Sequence, residues 1–160
     1  MKKWVPMGPV SPLQLPENGA TANVMAVWTS VGEVHPNASS LDISSIPLVN
    51  ATEASKFVTQ KRAAEHAAGR YALATLLRNL GFDPIYLQVI RDQYRKPKLM
   101  WRDVDTKSGT GGLQNQSLPE ITIGHSNGVA VAAVSLDGYP IGLDAEPVGV
   151  CRSKNILTMM

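Results

Sequence analysis

The chain has almost no cysteine. A single residue, Cys151, stands among 160, so no internal disulfide can form, and the usage fits a reducing compartment. Long apolar runs are also missing: no stretch approaches the ~18 residues of a membrane span, and the opening MKKWVPMGPVSP puts prolines where a secretory leader needs an unbroken apolar segment. A dominant charge is missing too. Fifteen Lys and Arg against thirteen Asp and Glu leave a net charge of +2, which announces neither nucleic acid nor a membrane surface but tolerates an anionic ligand. No internal repeat or low-complexity tract is visible. These absences predict one soluble, cytoplasmic domain over residues 1–160, ordinary at 44% hydrophobic and 18% charged.

The segment from Ile121 to Glu146, ITIGHSNGVAVAAVSLDGYPIGLDAE, carries the densest chemistry. Val129 to Val134 is a short apolar run bounded by turn residues, the pattern of a strand covered on both faces. Asp137-Gly138 predicts a tight hairpin turn into a strand over Tyr139–Leu143. Asp144 and Glu146, two residues apart on an extended segment, leave from one side. Two like charges so placed repel unless a cation holds them, and a pair of carboxylates suits magnesium, which completes its shell with water and phosphate. The plainer reading is a solvated strand end. His125, followed by Ser126 and the Asn127-Gly128 turn, is open to the same two readings: a satisfied structural histidine, or part of an anion-receiving turn.

Ahead of this segment the chain reads in order. Residues 1–22 are an irregular lead-in rich in proline and glycine, Asn23–Val31 has the β-branched and aromatic content of a strand, and Gly32–Val49 reads as loop. Asn50 with Glu53 three residues on opens a long helix that Gly81 and Pro84 close near Leu80. Gly69 in mid-helix costs about 1 kcal/mol relative to alanine and signals a close approach to the helix backbone. Arg62, Glu65, His66, Gly69 and Arg70 fall on neighbouring stripes, and periodicity favours a solvated, salt-bridged face for them. After the helix come a strand over Ile85–Arg91, a basic turn at Tyr94–Lys98 that reads as solvated, and a polar, glycine-rich loop over Asp103–Pro119 expected to be mobile. Its Gly-Thr-Gly-Gly lacks the Lys-Ser/Thr pair and following helix of a phosphate loop. The predicted fold is α+β, one long helix over Asn50–Leu80 on a small, mostly antiparallel sheet.

Four motifs in order carry a resemblance: KRAAEHAAGRYALATLLRNLG (Lys61–Gly81), Arg95-Lys96-Pro97, GHS (Gly124–Ser126) and IGLDAE (Ile141–Glu146). The chain resembles the 4′-phosphopantetheinyl transferases, in particular the type of the enterobactin-synthetase component D enzymes, over about Lys61 to Glu146. The resemblance implies magnesium-dependent transfer of the phosphopantetheine arm of coenzyme A to a serine of an acyl or peptidyl carrier protein, releasing adenosine 3′,5′-bisphosphate, in siderophore or polyketide assembly. It implies that Asp144 and Glu146 bind the metal and act with His125 in catalysis. His125 and Ser126 would meet the coenzyme phosphates, and Arg62, Lys96 and Pro97 would line the adenine and 3′-phosphate side. Gly124 stands where the family has a serine.

Members of this type are pseudo-dimers of two similar halves, and no Trp-x-x-Lys-Glu motif of a second half occurs here. One half leaves apolar surface to cover, so the chain is expected to form a homo-oligomer or to take its missing half from another polypeptide. The alternatives are a non-catalytic coenzyme A or nucleotide-binding module, a truncated relic of such an enzyme, or a plain interaction domain on the same fold.

Overall fold

The computed structural model describes residues 9–16, 23–31, 46–57, 59–102 and 117–146. Cys151 and most of the Asp103–Pro119 and Gly32–Val49 loops lie outside them. The fold is α+β, one helix on an antiparallel sheet. Four strands make the main sheet in the order β1-β2-β6-β5: β1 is Ser11–Pro12, β2 Val24–Ser30, β5 Glu120–Ser126 and β6 Val129–Ser135. A separate two-stranded ribbon pairs β3, Leu87–Arg91, with β4, Pro97–Trp101. Two helical segments precede it, α1 at Ala51–Ala54 and α2 at Gln60–Asn79, and α2 lies across β6 and β2 with β5 at its flank.

The single helix expected over Asn50–Leu80 is therefore two. Asn50 does cap, its Oδ1 accepting from the Glu53 amide at 3.1 Å, but this cap serves only α1. Ser55 returns its hydroxyl to the Thr52 carbonyl at 2.8 Å. Thr59, extended at φ −117° and ψ 146°, makes a second cap by accepting from the Arg62 amide. Two competing caps within ten residues break the helix between them. At the far end Gly81, at φ +91°, closes α2 as expected, with the Phe82 amide reaching back to the Leu77 carbonyl at 2.9 Å.

The helix runs unbroken through Gly69. A Cβ there would lie 2.7 Å from Ile123 Cγ2, so the close approach implied by a mid-helix glycine is the approach of β5. Small residues continue the contact: Ala67, Ala68 and Ala72 of α2 and Ala130 and Ala132 of β6 are fully buried, and small side chains on both partners let helix and sheet close to native density. Tyr71, Leu73, Leu77, Leu87, Ile121 and Val134 fill the rest of the core.

Three expectations about strands are corrected. Tyr139–Leu143 is not a strand. The turn before it forms, with Gly138 at φ +74°, but β6 is already paired along both edges, by β2 and β5, so no ladder is free for an outgoing hairpin arm. Ile85–Arg91 does not join the main sheet: Pro84–Tyr86 is a 3-10 turn capped by Asp83, and the strand starts at Leu87 and pairs with Pro97–Trp101, whose first two residues end the basic turn Tyr94–Lys98. The strand ahead of the Asn127-Gly128 turn runs over Glu120–Ser126, so His125 and Ser126 are strand residues. The lead-in is not wholly irregular either, since Ser11 and Pro12 pair with Trp28 and Val27.

A candidate anion-binding cleft

Strand alternation decides what faces the helix. On β5 the side chains of Ile121, Ile123 and His125 share one face, and Ile123 meets Gly69 of α2, so His125 points to the helix as well. There its Nδ1 lies 3.4 Å from Glu65 Oε2. Asn127 and Gly128, both at positive φ, make the two-residue turn that ends β5 and starts β6.

The start of α2, the α1 turn, the β3–β4 turn and the end of β5 enclose a cleft of about 670 Å³. Its cationic wall is Lys61, Arg62, Arg70, Arg91 and Arg95, and its acids are Glu53 and Glu65, with His66 and His125 between. Five cations against two carboxylates make a site for an anion.

Arg70 is the unusual member. Its side chain is 2% exposed, its Nη2 lies 3.6 Å from Glu53 Oε2, and among the described residues its buried Nη1 has no hydrogen-bond partner. His66 Nε2 is likewise buried and unpartnered, its ring 5.2 Å from that of Phe57. Burial pushes Arg70 down to about 10, the positive charge of Arg91 adding and Glu53 opposing. Burial also pushes His66 down to about 4, again with Arg70 and Arg91 adding and Glu53 opposing. The Glu53 carboxyl is raised by burial, but the hydrogen bond from Arg91 and the charges of Arg91 and Arg70 outweigh this and hold it below its ordinary value. A buried guanidinium with an unused donor is costly, several kcal/mol where the charge is poorly compensated, and such uncompensated groups cluster at binding sites.

The stripe of Arg62, Glu65, His66, Gly69 and Arg70, expected to be solvated, is thus largely enclosed, with Glu65 and Arg70 buried. Helical periodicity sees one element at a time, and here α1 and the ribbon turn cover a face the helix alone would leave wet. The ribbon turn is built by Asp92, whose Oδ1 accepts from the Tyr94 and Lys96 amides at 2.8 and 2.9 Å and leaves Arg95 at φ +64°.

Of the site residues expected from sequence, Arg62, Pro97 and His125 line the cleft. Lys96 does not: its Nζ pairs with Glu120 Oε2 at 3.0 Å across to β5. Ser126 ends β5 outside the lining. Asp144 and Glu146 also stand apart from it. A Cβ on Gly124 would lie 3.3 Å from the Leu143 carbonyl oxygen, so the segment carrying the two carboxylates packs on the face of β5 turned away from α2. Along it Gly142, Asp144 and Glu146 are exposed while Ile141, Leu143 and Ala145 are half-buried, which puts both acids on one side. Two such oxygen donors fit a hard cation completed by water and phosphate, although among the described residues no cluster of three or more potential metal ligands occurs. Glu53, His66, Arg70, Arg91 and Arg95 were not singled out as ligands by sequence reasoning. The local signals were the helix stripe that holds His66, Gly69 and Arg70 and the Arg95-Lys96-Pro97 motif.

No family model matches the sequence, and no curated protein matches it. Its fold is that of the holo-acyl-carrier-protein synthases. It is similar to the crystal structure of holo-ACP-synthase from Plasmodium yoelii, at TM-score 0.51 and 14% identity over 70% of this chain and 91% of that one. It is equally similar to holo-[acyl-carrier-protein] synthase from Neisseria meningitidis, at TM-score 0.51 and 12% identity over 70% and 94%. Both neighbours are matched over nearly their whole length, so each carries one copy of this unit. Among the described residues no helix is long and apolar enough to cross a membrane.

Proposed function

We propose that the chain is a phosphopantetheinyl transferase, moving the phosphopantetheine arm of coenzyme A to a serine of an acyl or peptidyl carrier protein. The observation that carries the reading is Arg70, 2% exposed on a cationic cleft and with an Nη1 that has no hydrogen-bond partner among the described residues. The fold and the four ordered motifs support the same assignment. The motif order favours the enterobactin-synthetase type, while the fold neighbours are matched as single units.

In this reading Arg62, Arg70 and Arg95 bind the phosphates of the coenzyme, and neutral His66 offers a further polar atom. Glu65 orients His125 beside them. The carrier serine hydroxyl attacks the phosphorus that bears the pantetheine arm and gives up its proton to water, the anhydride P–O bond breaks, and adenosine 3′,5′-bisphosphate leaves with the bonding pair. Asp144 and Glu146, which stand outside the arginine cleft, are the residues that would hold magnesium, whose chemistry would be to neutralise pyrophosphate charge. The Arg70 guanidinium, buried and paired with Glu53, is held before the ligand arrives, so it stabilises charge developing on the leaving group without reorganising.

A second reading, a coenzyme A or nucleotide-binding module without transferase activity, is favoured by one observation: Asp144 and Glu146 pack away from the cleft. Calorimetric titration with coenzyme A and with pantetheine, which lacks the anionic half, tests what both readings share. Coenzyme A is expected to bind and pantetheine not. Equal binding of both, or none of coenzyme A, contradicts the anion cleft as the coenzyme site.

A further inference from the structure

A carboxylate sits in the middle of the cationic wall. Glu53 Oε1 accepts from Arg91 Nε at 3.0 Å and from Arg91 Nη2 at 2.8 Å, and its Oε2 faces Arg70 Nη2 at 3.6 Å. The remaining Arg91 Nη1 donates to the Arg95 carbonyl at 3.1 Å, fixing the turn that carries Arg95 and Pro97 to the cleft. Glu53 is itself placed by the Asn50 cap of α1 and is 26% exposed. One acid therefore joins α1, α2, β3 and the ribbon turn.

Two effects of this acid oppose each other. Its charge repels an incoming anion. Its hydrogen bonds hold guanidiniums whose planar forks bind well only when correctly aimed. We infer that positioning prevails and that Glu53 is the positioning residue of the anion site. It takes up both the Arg91 donors that face it, engages one side of Arg70, and so leaves Arg70 Nη1 and the Arg95 side chain for the ligand. A carboxylate kept only for stability could pair with Arg91 alone. This one also reaches the buried Arg70, a cleft-lining cation whose Nη1 has no hydrogen-bond partner among the described residues. The inference rests on the anion-cleft reading and is independent of which anion fills it.

Inorganic pyrophosphate is the probe, titrated into the full chain as wild type, Glu53→Gln and Glu53→Ala, with coenzyme A in parallel. Positioning predicts about tenfold weaker pyrophosphate binding in Glu53→Ala. Glu53→Gln, which keeps the reach and an oxygen that can accept from Arg91, recovers part of the loss. In an Arg91→Ala background the further loss from Glu53→Ala shrinks, because the two residues act as one unit. Equal or tighter pyrophosphate binding by either folded variant overturns the inference, since deleting a negative charge from an anion site otherwise strengthens binding. If Glu53→Ala does not fold, Glu53→Gln decides on the same criterion. A wild type that binds pyrophosphate but not coenzyme A overturns the coenzyme reading and leaves the role of Glu53 standing, whereas one that binds neither overturns both.

Discussion

Gly69 and Ile123 touch so closely that a Cβ on the glycine would lie 2.7 Å from Ile123 Cγ2. This contact sets the distance between α2 and β5, and hence the spacing of Glu65 and Arg70 on the helix from His125 on the strand. Gly69→Ala gains about 1 kcal/mol of helix propensity, but a branched side chain must move, at a cost of about 1–3 kcal/mol. We expect a net loss of stability, read by denaturant unfolding. In an Ile123→Ala background, where Cγ2 is gone, the same substitution should be neutral or stabilising. Additive losses would contradict the contact.

Arg70 is expected to trade stability for binding. Replacing a buried, poorly compensated charge by an apolar side chain is commonly neutral or stabilising, so Arg70→Met should hold or raise the unfolding midpoint. It should weaken coenzyme A binding by about tenfold or more, because a charge-assisted donor is lost. Arg70→Lys should recover little, since an ammonium cannot reproduce the fork. Unfolding and titration on the same preparations separate the two effects.

Acid should destabilise the fold through His66. Its folded value is lowered from 6.5 to about 4, so the unfolded chain takes up a proton at a pH where the folded chain does not. Stability is therefore lost as pH falls from about 6.5 towards 4, by up to about 3 kcal/mol for this group. Glu53, also lowered, contributes stability above its ordinary value near 4.5 that disappears below it. Unfolding midpoints measured from pH 7 to pH 4.5 should fall, and His66→Gln should flatten the slope.

Much of this was legible in the residues, for stated reasons. The apolar run at Val129–Val134, the closing signal at Gly81 and the close approach at Gly69 each follow from local chemistry, and each is present. The helix break was hidden because Asn50 and Thr59 are both good caps, and only the folded chain shows that both are used. Tyr139–Leu143 failed as a strand because pairing depends on free edges, which no local pattern reveals. The cleft was legible only in part. Arg62, Arg95, Pro97 and His125 lie in recognisable motifs, whereas Glu53 and Arg91 become site residues through contacts distant in sequence.

Magnesium and coenzyme A should bind cooperatively. In the proposed reading Asp144 and Glu146 would offer two of the about six oxygens the ion takes, so its affinity for the chain alone should be weak and rise when phosphate oxygens join. Coenzyme A should then bind tighter with magnesium than with a chelator, by the same factor as the reverse coupling. Asp144→Ala should abolish the difference while leaving metal-independent binding at the arginines. A wild type indifferent to the chelator would detach the two carboxylates from the site.

Transfer itself is the most direct measurement. The purified chain is incubated with coenzyme A, magnesium and an apo acyl or peptidyl carrier protein, and the carrier is weighed by intact-mass spectrometry. The account predicts that the carrier gains one phosphopantetheine arm on its serine, and that Arg70→Met and Asp144→Ala greatly slow the gain. A carrier that stays at its apo mass, in a reaction where the wild-type chain is shown to bind coenzyme A, would contradict the transferase and leave a binding module.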